Sequence, residues 1–163
     1  MVLWLRLLFF TVLVPGMVAG YTPHRLAQGA EPDWNIPALK WTGFFFIIAG
    51  ILLYSLCALT FVLKGKGTPN IFFAKALKFL IGEEPVKMVS GGVYRYSRNP
   101  MYVAVMMTVL GQALFFQLMI LLHYLLFLFI FFHLVVTMIE EPHLKKKFGK
   151  EYDQYKKKTR RWF

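Results

Sequence analysis

Apolar residues fill this chain in long blocks rather than at alternating positions, a pattern that predicts helices and no half-buried strands. Trp41 to Leu63 runs for 23 residues without a charge. At about 1.5 Å per residue, such a helix exceeds a hydrocarbon layer about 30 Å thick, so it is expected to span a membrane. Met101 to Ile139 holds 39 residues with no Asp, Glu, Lys or Arg. As one straight helix it would be about twice the membrane thickness, so it must fold back as a hairpin. The turn is expected around Phe116 to Leu118, where Gln117 is the strongly polar residue. Val2 to Gly20 suits either a retained span or a secretory signal cleaved after Val18-Ala19-Gly20; Arg6 inside the run, with no basic residue before it, favours the span.

The expected fold is therefore all-α: one integral membrane domain over 1–163 with about four transmembrane helices, at about 2–20, 41–63, 100–116 and 119–139. Two amphipathic segments accompany them. Phe72, Phe73, Ala76, Leu77 and Leu80 recur at helical spacing around Lys75 and Lys78, predicting an interfacial helix over 70–81. Leu144, Phe148, Tyr152 and Tyr155 form a similar stripe in a tail helix expected over 140–160.

Composition agrees and adds an orientation. Hydrophobic residues make up 58% and charged residues 17%, with a mean hydropathy of +0.53. Ordinary soluble domains have about 45–50% apolar and about 25% charged residues, so both a soluble domain and a disordered chain are excluded. The net charge is +11, of which Lys64 to Pro100 carries +5 and Glu140 to Phe163 another +5. The positive-inside rule places both segments, and with them the C-terminus, in the cytoplasm, leaving Tyr21 to Lys40 as an external loop. Basic interfacial helices attract anionic lipid without further function. No nucleic-acid motif accompanies the charge, so nucleic acid is not an expected partner. Cys57, a lone cysteine, excludes an internal disulfide framework, and Glu140-Glu141-Pro142-His143 lacks the paired histidines of a zinc helix; no metal is expected.

Chemistry concentrates at the open end of the hairpin. Asn99-Pro100 reads as a helix start, the amide able to cap free N–H groups and Pro suited to the first position. Flanked by Arg95 and Arg98, such a start is also a natural anion site. At the far end of the run, His133, Thr137, Glu140 and Glu141 fall broadly on one helical face. Adjacent acids at a membrane boundary and a helix C-terminus are opposed by both desolvation and the dipole, so they require cationic partners, either a bound cation or Lys145 and Arg98. His133 by itself reads equally as a hydrogen-bonding residue between helices. The hairpin brings positive and negative groups to one membrane face, the arrangement that an amino acid moiety demands.

The run Gly92-Val93-Tyr94-Arg95-Tyr96-Ser97-Arg98-Asn99-Pro100-Met101-Tyr102, then Gly111, Glu140-Glu141-Pro142-His143-Leu144, Phe148-Gly149-Lys150-Glu151-Tyr152, Tyr155 and Arg161-Trp162 resembles the membrane methyltransferases that include isoprenylcysteine carboxyl methyltransferase and phosphatidylethanolamine N-methyltransferase. The resemblance implies S-adenosylmethionine (SAM) as cofactor, with Tyr94, Arg98, Asn99, Pro100 and Tyr102 lining its site and Glu140 and Glu141 holding its amino end. It also implies methyl transfer to a lipid, isoprenoid-linked or other apolar acceptor drawn from the bilayer. Arg98, Tyr102 and His133 are the candidate catalytic residues, the last two as bases for an amine acceptor. Ala104 stands where that family usually has Gly, and Asn99 where the isoprenylcysteine enzymes more often have His. The competing expectations are a non-enzymatic adaptor for anionic lipid and an NADPH-dependent enzyme like the steroid reductases.

Overall fold

The fold was obtained as a computed structural model, in which the described residues are 11–13, 15–60, 63 and 88–162. The expected interfacial helix over 70–81, and most of the first span at 2–20, lie outside them. The architecture is all-helical: among the described residues the only extended pairing is one parallel bridge between Ser97 and Arg160. A π-turn, Met17–Tyr21, leads into α1 (Thr22–Ala27), followed by α2 (Pro37–Thr60), a 3-10 turn (Gly92–Arg95), α3 (Pro100–Phe116) and α4 (Met119–Val135). A second π-turn, Val136–Glu140, then joins α4 to α5 (Glu141–Phe148) and α6 (Lys150–Lys158).

Among the described residues, two helical stretches are long and apolar enough to cross a membrane, Pro37–Thr60 with 24 residues and Met119–Phe148 with 30. Only 22% and 28% of their most apolar windows are buried inside the molecule. Leu126, Phe127, Ile130, Phe131 and Leu134 of α4 face outward. Such a surface requires a hydrocarbon surrounding, and the protein is membrane-associated. Four spans were expected; α3, though apolar, has 17 residues, fewer than the about 20 that cross a hydrocarbon layer about 30 Å thick. Hydroxyls within the apolar helices are answered locally: Ser55 Oγ donates to Ile51 O at 2.8 Å and Thr108 Oγ1 to Ala104 O at 2.9 Å.

The tightest packing joins α2 to α3, which meet much more extensively than the two arms of the α3–α4 hairpin. Glycines make this possible. A Cβ added at Gly111 would stand 2.6 Å from Ile47 N and 2.7 Å from Gly43 O; one at Gly43 would stand 2.5 Å from Phe115 N. These neighbours are backbone, so no rotamer change makes room. Small residues that let two backbones touch replace the hydrophobic driving force that lipid cannot supply. At Gly50 an added Cβ would lie 2.8 Å from Ala104 O, so the small residue that the sequence comparison missed at Ala104 is found on the facing helix.

The hairpin reverses at Gln117, the C-cap of α3, which adopts the left-handed conformation (φ 59°) and is 1% exposed. Its side-chain amide behaves like a strand partner for the loop above: Ile36 N donates to its Oε1 at 2.7 Å and its Nε2 donates to Ile36 O at 3.1 Å. Asp33 N also donates to Gln117 O (2.9 Å), while Asp33 Oδ2 accepts from Met119 N (2.6 Å) at the start of α4.

Two boundaries differ from the sequence expectation. The segment read as a loop from Tyr21 to Lys40 is helical through Ala27 and again from Pro37; Pro23 is tolerated in the first turn of α1, where its missing N–H is not required. The single tail helix over 140–160 is broken at Gly149 (φ 54°, ψ −123°) into α5 and α6. That backbone conformation is open to glycine and strained for other residues.

Candidate functional site

The site is built where the start of α3 meets the end of α4. Pro100 occupies the first position of α3 and is buried, its fixed φ suited to that place. Across from it, the π-turn Val136–Glu140 widens the helix by one residue just before Glu141. Neighbours on a regular helix point about 100° apart, yet Glu140 and Glu141 are both only 8% exposed because each is received by a different element. Single π-turns of this kind recur at functional sites.

Glu141 sits at the centre of a cationic cluster. The Arg161 guanidinium grips it with both prongs, Nε to Oε1 at 2.7 Å and Nη2 to Oε2 at 3.2 Å. Arg98 Nη1 approaches Oε1 at 3.0 Å and Lys156 Nζ approaches Oε2 at 3.3 Å. Both Arg98 and Glu141 are over nine-tenths buried as side chains. The sequence offered Lys145 as a partner; it pairs instead with Asp153 (3.4 Å) on the exposed side of the tail. The hydrogen bond to Glu141 raises the Arg161 pKa, fixing its charge.

Glu140 is received differently. Its Oε1 accepts the hydroxyl of Tyr102 from α3, and the Tyr102 ring packs on Phe132 with centroids 4.6 Å apart. His143 is the nearby basic group that acts on this carboxylate. Among the described residues, Glu140 makes none of the close guanidinium contacts that saturate Glu141.

The chain end closes the cluster from below. Arg98 N donates to Arg160 O (2.9 Å), and the Arg161 carbonyl accepts both Asn99 Nδ2 (3.0 Å) and Ser97 Oγ (3.3 Å). The Asn99 side chain therefore does not cap α3, as its position before Pro100 had suggested; the strap from Thr159 to Trp162 has drawn the amide away. Tyr155 donates its hydroxyl to Tyr94 O at 2.6 Å, and Arg98 Nη1 donates to Tyr152 Oη at 3.3 Å. Burial pushes both phenols above their ordinary pKa, so each stays a neutral hydrogen-bonding group.

The remaining candidates lie around this centre. The Tyr94 side chain is buried against Cys57 of α2, joining the site to the glycine seam. His133 receives the Trp162 indole N–H at 3.4 Å and stacks beside it, so its partner is the terminal strap rather than the neighbouring helix that its lone position had suggested. Thr159 and Lys156 had no sequence signal, and Ser97 stood in the motif run without an assigned role. Arg161 was visible only as part of a terminal Arg-Trp pair without an assigned role.

One buried donor at this centre is left over. Among the described residues Arg98 Nε has no partner, although the other end of its guanidinium meets Glu141 and Tyr152. A buried N–H without an acceptor is costly, so its presence beside a helix N-terminus favours an anionic group. A large cavity lies elsewhere. It is a lateral groove of about 1150 Å³ between the chain around Thr11 to Gly20, α2 and α3, reaching from Thr11 and Tyr54 to Gln28 and Leu118. Several of its polar residues are tied internally, Thr11 to Tyr54 at 3.0 Å and Gln112 Nε2 to Ala19 O at 2.6 Å. The wall it presents is accordingly apolar.

No curated protein and no solved structure matches the chain. A protein-family match to phospholipid methyltransferase covers residues 40–151, which include most of α2, the Arg98-Asn99-Pro100 start of α3, the hairpin and both buried glutamates. That match spans more than half of the sequence, and the chain belongs to the phospholipid methyltransferase family.

Proposed function

We propose that the chain is a multi-pass membrane enzyme that transfers a methyl group from SAM to a lipidic acceptor, with its cofactor site and C-terminus on the cytoplasmic face. The observation that carries this reading is the orphan Arg98 Nε–H beside a second buried carboxylate, Glu140, which is bound to a tyrosine rather than neutralised by a guanidinium. The amino acid end of SAM bears a carboxylate and an ammonium, and these two groups suit it in that order. Arg98 would hold the carboxylate and Glu140 the ammonium, with Tyr102 fixing the carboxylate rotamer of Glu140.

Glu141 would have a different task from its neighbour. With both oxygens engaged, it supports Arg98 rather than receiving a ligand. When bound, SAM supplies an electrophilic methyl on a sulfonium. The protein's own part is to position the reactants and exclude water from the transfer. The apolar groove between α2 and α3 offers an acceptor's chains an entry from the bilayer, while the basic segments keep the headgroup face anionic-lipid-rich.

Calorimetry of the detergent-solubilised protein with SAM tests the assignment. Glu140→Gln is expected to weaken binding at least tenfold while the protein stays folded; unchanged affinity would overturn the role given to Glu140. Incubation of membranes with methyl-labelled SAM, followed by separation into lipid, protein and volatile fractions, identifies the acceptor class. Label confined to non-lipid fractions would reject a lipidic acceptor.

A further inference from the structure

The strap at the chain end touches every fixed element of the site. Thr159 Oγ1 donates to Arg95 O at 3.4 Å, Arg160 pairs with Ser97 and Arg98 through the backbone, and Trp162 packs against Phe129 and His133 of α4. Arg161 makes the most consequential contacts. Its guanidinium holds Glu141 in a two-pronged pair, and Glu141 in turn holds Arg98. Its carbonyl holds the Asn99 amide and the Ser97 hydroxyl. One residue thus sets both side chains that flank the start of α3, one through its side chain and the other through its backbone.

Two features separate this arrangement from a lid that opens with each turnover. Glu141 is buried, so parting it from Arg161 would leave desolvated charge behind. Trp162 is packed against the main hydrophobic cluster that includes Val103, Met106 and Phe132. The strap behaves as a wall of the site. A planar fork on a carboxylate also fixes orientation in a way that a lysine ammonium does not.

We infer that Arg161 is a positioning residue for ligand binding: acting through Glu141, it orients the Arg98 guanidinium toward the carboxylate end of the cofactor. This inference rests on the reading that SAM binds at the start of α3. It predicts an effect confined to the amino acid half of the ligand. Loss of the Arg161 fork loosens Arg98 and leaves the rest of the pocket in place.

The test uses the full-length protein in detergent and two probes, S-adenosylhomocysteine, which carries the amino acid moiety, and methylthioadenosine, which lacks it. Arg161→Lys, which keeps the charge and the backbone carbonyl, is expected to weaken S-adenosylhomocysteine at least fivefold and to leave methylthioadenosine within twofold of wild type. Arg161→Ala should enlarge the first effect, with thermal unfolding of each variant recorded alongside to count only folded protein. Equal weakening of both probes would assign Arg161 a purely structural role and overturn the inference, as would unchanged affinity for both in Arg161→Lys. Failure of the wild-type protein to bind S-adenosylhomocysteine at all would instead reject the cofactor reading on which the inference stands.

Discussion

The two ends of the α3–α4 hairpin bury polar groups by different means. At the Gln117 end the partners are mostly neutral: an amide side chain answers the Ile36 backbone in both directions, and the one carboxylate, Asp33, accepts a backbone N–H while remaining exposed. At the other end three cations surround Glu141, a second carboxylate is buried beside a tyrosine, and an arginine donor is left without an acceptor. The turn end is held by hydrogen bonds through Gln117 and Asp33, and its one buried donor without a partner among the described residues is the uncharged Trp34 indole N–H. The open end holds more charge than structure needs, and such unbalanced, buried charge is where binding chemistry is expected.

Substitutions separate the two ends by size and kind of effect. The largest loss is expected for Glu141→Gln, which strands Arg98 and Arg161 together; breaking a buried pair of this sort costs about 3–5 kcal/mol. Equilibrium unfolding of the purified protein reads it directly, and a loss below about 1 kcal/mol would mean that water already solvates the cluster. Gly111→Ala comes next, at about 3 kcal/mol from backbone overpacking. Because it pushes α2 from α3 between the two ends, it should destabilise the whole protein without favouring either.

Gln117→Leu is expected to cost about 2 kcal/mol by leaving the Ile36 groups unanswered. Hydrogen exchange should then rise in the 28–36 loop, while SAM affinity of the folded fraction stays within twofold of wild type. A specific loss of SAM binding would erase the distinction between the ends. Lys156→Gln is the smallest: its ammonium is about half exposed, so less than about 1 kcal/mol should be lost. A larger cost would mean that the third cation is as essential to Glu141 as the two arginines.

How far the sequence reached depends on whether an interaction is local. Charge-free runs are a local property, and they mark α2, the hairpin and the all-helical class. Gln117 was readable as a turn for the same reason, being the strongly polar residue where the run had to reverse. Asn99 was misread as a cap because its competing partner, the Arg161 carbonyl, lies 62 positions away along the chain. The break at Gly149 was also missed, since the amphipathic stripe continues across it and only the backbone angles reveal the interruption.

The sequence by itself determined that this is a greasy, basic, helical protein whose two adjacent acids needed explanation, and its motif order carried the family. It treated Glu140 and Glu141 as equivalent, because composition and spacing cannot distinguish neighbours on one helix. Tertiary structure separated them. The π-turn and the returning chain end deliver Arg98, Lys156 and Arg161 to one carboxylate and Tyr102 to the other. The physical reason is that a carboxylate's role follows from which donors reach it, and here those donors come from segments far apart in the chain.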